Sequence, residues 1–172
     1  MGIKEIKEIF ARKKFERLLS TIERSPVFPD IEKIKNIGVI WQPTQKEAFQ
    51  FLKGYFNREQ VIFRGFCVFE SITNPYQDTY TLTVKDLDFW GLPKKEKVEE
   101  FTKIRFDILF NLAIDNNLAI DYITALSHAR FKVGGSSDSN NHFDLNINID
   151  ENQDAMYLVK QQIFYLSQLN KK

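Results

Sequence analysis

Two aspartates in the stretch KDLDFWGLP are spaced for metal chemistry. Asp86 and Asp88 stand at positions i and i+2, and carboxylates at this spacing can share a divalent cation that bridges a diphosphate, as in sugar-nucleotide enzymes. The same spacing occurs on any exposed strand face, where alternate side chains point to one side. The pair therefore indicates a ligand site only together with other residues.

A glycine pair in SHARFKVGGSSDSNNHFDLNINID is the second candidate for chemistry. A phosphate-binding loop needs a helix N-terminus directly after its glycines, whereas Gly134 and Gly135 precede a polar loop and then a strand pattern. The Asp/Asn ladder of residues 144–150 lacks the glycine and glutamate of a calcium loop. The stretch predicts two strands joined by a Gly/Ser/Asn loop over residues 134–142.

The cysteine and histidine content predicts neither a metal site nor a catalytic site. Cys67 is the only cysteine and lies in the apolar run RGFCVF, which is typical of a buried, inert thiol. His128 and His142 have no matched metal-ligand spacing. We therefore expect no metal, no cofactor and no catalytic residue, and the sequence leans towards a protein that is not an enzyme.

The charge is balanced overall but unevenly distributed. Net charge is +1, which disfavours general attraction to nucleic acid. Residues 1–24 carry seven bases and four acids, while residues 105–155 carry three bases and eight acids.

No apolar run approaches the roughly 20 residues of a membrane span, and the start lacks signal-peptide features. These patterns predict a cytoplasmic protein.

Strand and helix patterns alternate along the chain, which predicts an α/β fold. Apolar runs of strand length alternate with helical periodicity, as in an open, mostly parallel sheet covered by helices on both faces. The expected architecture is a three-layer Rossmann-like sandwich. The alternating run FDLNINI has one polar face and is predicted to be an edge or antiparallel strand. Predicted strands cover residues 36–41, 60–69, 106–114, 129–134 and 143–149, with an extra strand or hairpin in 78–91.

The N-terminal helix predicted over residues 3–23 has two apolar stripes on nearly opposite sides. Ile3, Ile6, Ile9 and Phe10 form the first stripe, and residues 15–22 hold the second. One straight helix cannot bury both stripes on one body. We expect the second stripe to pack on the domain and the first to need another surface. We therefore divide the chain into an N-terminal amphipathic helix, residues 1–24, and a single α/β domain, residues 36–172.

Three motifs in this order carry a family resemblance: KDLDFWGLP, FDILFNLA and SHARFKVG, behind a basic N-terminal helix. With them the chain resembles a family of small bacterial proteins of unknown function, described in the Bacteroidota. The resemblance covers nearly the whole chain and implies a bacterial cytoplasmic protein without an assigned activity. FDILFNLA and ARFKVG also look loosely like part of the Rossmann-like N-terminal domain of lipopolysaccharide-type glycosyltransferases.

Three functions remain open from the sequence. The first is contact with a protein partner or a second copy through the basic helix, with peripheral membrane contact as another use of the same surface. Its predicted contact residues are Ile3, Ile6, Lys7, Ile9, Phe10, Lys13, Lys14 and Arg17.

The second function is nucleotide or sugar-nucleotide binding by a degenerate transferase at the carboxyl ends of the strands. Its candidate residues are Pro43, Thr44, Asp86, Asp88, Asn111 and Lys132. The third is RNA or ribosome contact.

Overall fold

In the part of the chain that the structure describes, six parallel strands form the central sheet. The structure, a computed structural model, describes residues 2–69, 80–138 and 141–170. The strands lie in the order β3-β2-β1-β4-β5-β6, and every described strand pair is parallel. Their bounds are β1 Asn36–Trp41, β2 Ile62–Val68, β3 Tyr80–Leu82, β4 Ile108–Asn111, β5 Lys132–Gly135 and β6 Leu145–Ile147. Chain order reverses between β1 and β4, the arrangement of a Rossmann-like sheet.

Helices cover both faces of the sheet and complete the predicted three-layer sandwich. They are α1 Ile3–Leu19, α2 Lys46–Tyr55, α3 Lys95–Thr102, α4 Leu118–Leu126 and α5 Ala155–Leu169. The α2 and α5 helices pack on one face, and α1, α3 and α4 pack on the other. All four residues of β4 are buried, as expected for a strand covered on both sides. Among the described residues, no helix has the length and apolar character needed to cross a bilayer.

The alternating strand lies at the sheet edge and runs parallel to its neighbour. Ile147 and Ile149 are buried, whereas Asn146 and Asn148 are exposed. The predicted edge position is therefore confirmed, and the open question of direction is answered by the parallel register with β5. Asp144 fixes the start of β6, because its backbone N–H donates to Lys132 O at 2.8 Å and its carboxylate accepts from the Lys132 N–H at 2.8 Å.

The glycine pair belongs to a strand and serves close packing. Both glycines lie in β5, so the prediction that the loop begins at residue 134 is wrong by two residues. A Cβ atom on Gly134 would stand 2.2 Å from the Phe143 ring, and one on Gly135 would stand 2.7 Å from the Leu158 side chain. Glycine is required here because the returning loop and α5 approach the strand too closely for any side chain.

The segment predicted as an extra strand or hairpin contains one short strand. Within residues 78–91 the chain forms β3 and then a 3-10 turn over Val84–Asp86, while residues 78 and 79 lie outside the described part. Leu82 is buried beneath α3. The turn carries the chain from the edge strand β3 toward α1 and places the KDLDFWGLP motif beside that helix.

Candidate functional site

The second half of α1 is anchored to the domain. Ala11 is fully buried and Phe15 is 8% exposed. The Phe15 ring lies 5.5 Å from the ring of Tyr122 on α4 and 5.4 Å from the ring of His142. Leu18 and Leu19 are partly buried against the same core. The second apolar stripe therefore packs on the domain as predicted, and α1 ends at Leu19 rather than at residue 23.

The first half of α1 has no buried residue. Every residue of α1 before Ala11 is exposed except the half-buried Lys7. The first apolar stripe remains open to solvent, with Ile3 75% exposed and Phe10 50% exposed. Phe10 lies 5.0 Å from the Trp90 ring, and the Lys7 ammonium lies 4.0 Å above the ring of Phe89. Together the exposed residues make one apolar surface, here called the α1 face: Ile3, Ile6, Ile9, Phe10 and Phe89.

Basic residues surround the α1 face, and two of them are already engaged. Lys14 forms a 2.9 Å ion pair with Asp88, and Lys7 covers Phe89. Lys13 and Arg17 are exposed on the helix. Of the basic residues predicted to steer a partner, Lys14 therefore also ties α1 to the KDLDFWGLP motif. Phe89 is the member of the surface that sequence reasoning missed. Its position beside Trp90 in the motif was the available signal.

Asp86 and Asp88 bind different neighbours in the folded protein. Burial opposes ionisation of Asp86, but hydrogen bonds from Thr83 and the charge of Lys97 lower its pKa. Burial likewise opposes ionisation of Asp88, while bonds from Lys14 and from the backbone N–H groups of residues 90 and 92 lower its pKa. Among the described residues, no cluster of three or more His, Cys, Asp or Glu side chains could hold a metal ion.

Pro43, Thr44 and Asn111, three more residues of the predicted ligand site, lie at the carboxyl ends of the neighbouring strands β1 and β4. Pro43 begins a 3-10 turn after β1, and the neighbouring Thr44 is exposed. Asn111 ends β4 on the adjacent strand and is buried. Its amide donates to Thr124 Oγ1 at 3.0 Å, its side-chain oxygen accepts from the Ala113 N–H at 2.9 Å, and its carbonyl accepts from Gln162 at 3.0 Å. Asn111 thus joins β4 to α4 and α5.

Lys132 lies away from the carboxyl ends of the strands. It begins β5, is 2% exposed, and its ammonium donates to Ala125 O near the end of α4 at 3.0 Å. Burial and the nearby charge of Arg24 lower the pKa of Lys132 to about 7, although Asp144 acts in the opposite direction. The six residues proposed for a ligand site therefore do not converge on one pocket.

A small acidic cavity is present at the carboxyl ends of β4 and β5. Its volume is about 50 Å³, and its lining includes Asp115, Asp121, Asp138, His142 and Asn111. Burial, and then the charge of Asp138, raise the pKa of Asp121 to about 6, while Arg12 of α1 opposes this shift. Burial, followed by the charge of Lys132, lowers the pKa of His142. Three carboxyl groups and one histidine thus line this cavity, and the charges of Arg12 and Lys132 act on two of them.

Comparisons with known proteins define the family of the chain and nothing finer. No curated protein and no solved structure matches the sequence. Residues 7–169, which include α1 from Lys7 onward, the whole sheet and all of α5, match a family described as a family of unknown function, DUF6913. Because the match spans nearly the whole chain, this protein belongs to the DUF6913 family.

Proposed function

We propose that this protein works by contact, and that its α1 face docks into an apolar groove on a protein partner. One observation carries the proposal: the first two turns of α1 are helical, yet none of the described residues before Ala11 is buried and three isoleucines face solvent. Isolated short helices are marginal in water, and exposed apolar clusters on a helix are typical of binding surfaces. A partner groove would supply the missing burial.

The spacing of the exposed residues fits binding of a helix in a groove. Ile3, Ile6 and Phe10 stand at positions i, i+3 and i+7, the pattern with which amphipathic helices anchor in apolar grooves. Full burial of one isoleucine side chain contributes about 1.5–3 kcal/mol. Several such anchors are needed to exceed the cost of association, which is about 4–15 kcal/mol. Phe89 lies beside these anchors and enlarges the surface.

The charge of α1 indicates the chemistry of the partner. The helix carries six bases and three acids between residues 3 and 19. A groove with carboxylates on its rim would attract this helix and exclude basic surfaces. A symmetric pair of α1 helices would bring two positively charged surfaces together, so a second copy of the same helix fits less well than an acidic partner.

A capture experiment with matched variants tests this proposal. The full-length chain, the double variant Ile6→Asp/Ile9→Asp and the control Ile62→Asp, a half-exposed residue at the start of β2, are used as baits. We expect the wild type and the control to recover one stoichiometric protein that the double variant loses. The recovered protein, once purified, should bind the wild type at a rate that falls as salt concentration rises. Equal recovery by all three baits would overturn the proposal.

Lipid and self-association are the other occupants that this experiment separates. Flotation of the wild type with vesicles of phosphatidylserine and phosphatidylcholine, lost in the Ile6→Asp/Ile9→Asp variant, would show a membrane surface as the occupant. A change in the mass of the purified chain, abolished by the same variant, would show a second copy. Either result would replace the protein partner and contradict the proposal.

Nucleotide or sugar-nucleotide binding by a degenerate, glycosyltransferase-like domain is the alternative proposal. The strand order supports it, since ligands of open α/β sheets bind where the order reverses, here between β1 and β4. The dispersed candidate residues weigh against it. Stabilisation of the purified protein by nucleoside diphosphates or sugar nucleotides with magnesium in a thermal-shift assay would favour this alternative.

The remaining predictions from sequence stay proposals. A bacterial cytoplasmic location and the lack of enzymatic activity are two of them. Contact with RNA or the ribosome through the basic helix is a weaker alternative, because the net charge of the chain is +1. Retention on immobilised RNA that decreases steeply with salt concentration would support RNA contact.

A further inference from the structure

The solvent side of α5 is nearly uncharged. Lys160 is the single charged residue among the 15 residues of this helix. One side of α5 packs on the sheet, whereas its other side exposes Tyr157, Phe164, Tyr165 and Leu169 to between 37% and 52%. Surface helices usually carry charged residues on their solvent side. Depletion of charge together with enrichment in aromatic residues is typical of the core of a protein interface.

Three exposed residues and one half-buried residue, Gln161, follow the spacing of a helix-pairing seam along α5. Tyr157, Gln161, Phe164 and Gln168 are separated by four, three and four residues, the spacing that keeps a stripe facing a partner helix. We propose that this stripe is the interface of a homodimer, in which α5 pairs with α5 of a second copy in antiparallel orientation. This surface lies on the opposite face of the sheet from α1, so the inference is independent of the proposed function.

Two-fold symmetry makes the α5 stripe complementary to itself. About an axis between Gln161 and Phe164, each of these two residues faces the other on the second copy, and Tyr157 faces Gln168. Each aromatic ring of the stripe thus faces an amide side chain of the second copy. The stripe itself contains no charged residue. Lys160 lies outside the stripe, with its ammonium 5.6 Å from the centre of the Phe51 ring on α2. An uncharged surface fits an uncharged partner, which α5 itself supplies.

The size of the surface sets the expected strength of the dimer. A helix of 15 residues is about 22 Å long, too short to provide the roughly 800 Å² per partner of a standard interface. The exposed side chains of Phe51 and Tyr55 on α2, 39% and 45% exposed, extend the apolar surface beside Lys160. We therefore expect a weak, reversible dimer.

Sedimentation equilibrium of the full chain tests the dimer directly. Between about 1 µM and about 100 µM the average mass should rise from 20.3 kDa towards twice that value. Phe164→Glu and, separately, Gln161→Lys should weaken association at least about tenfold. Gln161 is half-buried, so urea denaturation of the Gln161→Lys variant is the control that its fold is retained. The controls Ile6→Asp and Phe89→Glu, both on the α1 face, should associate like the wild type.

Three outcomes would overturn the dimer. The first is a mass of 20.3 kDa at the highest concentration, and the second is association that Phe164→Glu and Gln161→Lys leave unchanged. Loss of association in the Ile6→Asp control alone would assign self-contact to α1 and would also overturn the α5 interface. The α1 proposal fails separately, through the capture experiment.

Disulfide trapping provides a second measurement that reports geometry. The native Cys67 is buried, and burial raises the pKa of its thiol to about 12, so a new surface cysteine is the reactive one. Gln161→Cys, next to the two-fold axis, should form a covalent dimer under mild oxidation. Glu96→Cys, an exposed position on α3, should remain monomeric. Equal cross-linking of the two variants would indicate random collision and contradict the interface.

Discussion

Gly38 lies in the middle of β1, and its α-carbon faces the buried ring of Phe106. A Cβ atom at this position would stand 2.7 Å from that ring, which has no solvent-accessible surface and little room to move. Gly54, in contrast, is a helical residue of α2, and a Cβ atom there would meet nothing within 4 Å. Gly38 is therefore needed for close packing against Phe106, whereas Gly54 lowers the stability of α2 without any packing benefit.

Alanine substitutions at these two glycines should change stability in opposite directions. We expect Gly38→Ala to lower the free energy of unfolding by about 1–3 kcal/mol, because overpacking displaces the ring. Gly54→Ala should raise it by up to about 1 kcal/mol, because alanine has the higher helix propensity. Urea denaturation of both variants measures the difference. Equal effects of the two substitutions would show that the close contact at Phe106 relaxes without cost.

The buried Lys132 ammonium should make stability depend on pH. Its folded pKa of about 7 lies below its ordinary value of 10.5, so between these pH values the unfolded chain binds the additional proton. The stability contribution of this residue is therefore least favourable below pH 7 and improves as pH rises to 10.5. Arg24 and Asp144 are the charged groups that act on it, and Arg24 forms a bidentate ion pair with Asp144.

Lys132→Met should remove this pH dependence. Because one proton corresponds to at most about 1.4 kcal/mol per pH unit, the difference in unfolding free energy between wild type and variant should change by up to this amount per unit between pH 7 and pH 10. Urea denaturation of both proteins at each pH measures it. A constant difference across this range would mean that the ammonium remains charged in the folded protein.

At the scale of elements, α1 is held by its second half, and Phe15 is the main anchor. Phe15→Ala should lower the free energy of unfolding by about 3 kcal/mol, because the ring packs between Tyr122 and His142. Phe10→Ala, which removes a half-exposed ring from the same helix, should cost less than about 1 kcal/mol. Thermal and urea unfolding measure both. Similar costs would mean that the two halves of α1 are equally bound to the domain.

The sequence predicts a helix or strand where the spacing of its apolar residues shows which of its faces are buried. Runs such as that of β4 are apolar on consecutive residues, which indicates a strand buried on both faces. The alternation in β6 showed that one face meets solvent, but a period of two is identical in parallel and antiparallel strands, so direction was left open. The glycines of β5 resembled a loop because composition does not show that Phe143 and Leu158 approach the strand.

At the scale of the whole molecule, the position of a site depends on strand order, which composition does not contain. Asn111 has the polar type expected of a ligand residue at a strand end, yet its groups are used to join β4 with α4 and α5. The acidic cavity was missed because Asp121 lies on a helix and Asp138 follows a strand, and only the fold brings them together. The apolar stripe of α1 was visible in the sequence because its residues are close along the chain, whereas Phe89 was missed because only the fold brings it beside Lys7.

Truncation should separate the α1 face from the stability of the fold. Deletion of residues 2–9 removes no buried side chain and should change the free energy of unfolding by less than about 1 kcal/mol. Deletion of residues 2–19 also removes Ala11 and Phe15 and uncovers Tyr122, so it should cost about 3 kcal/mol or more. Urea denaturation of the two truncated chains and the full chain measures this difference.

The shorter deletion is the more informative one for function. It removes Ile3, Ile6 and Ile9 while the anchor at Phe15 remains, so loss of partner binding in a protein of unchanged stability would assign binding to the α1 face itself. The dimer proposed for α5 should persist in this truncated chain, since the two surfaces lie on opposite faces of the sheet. If deletion of residues 2–9 lowers stability as much as deletion of residues 2–19, the first turns of α1 are part of the folded core and the contact proposal loses its basis.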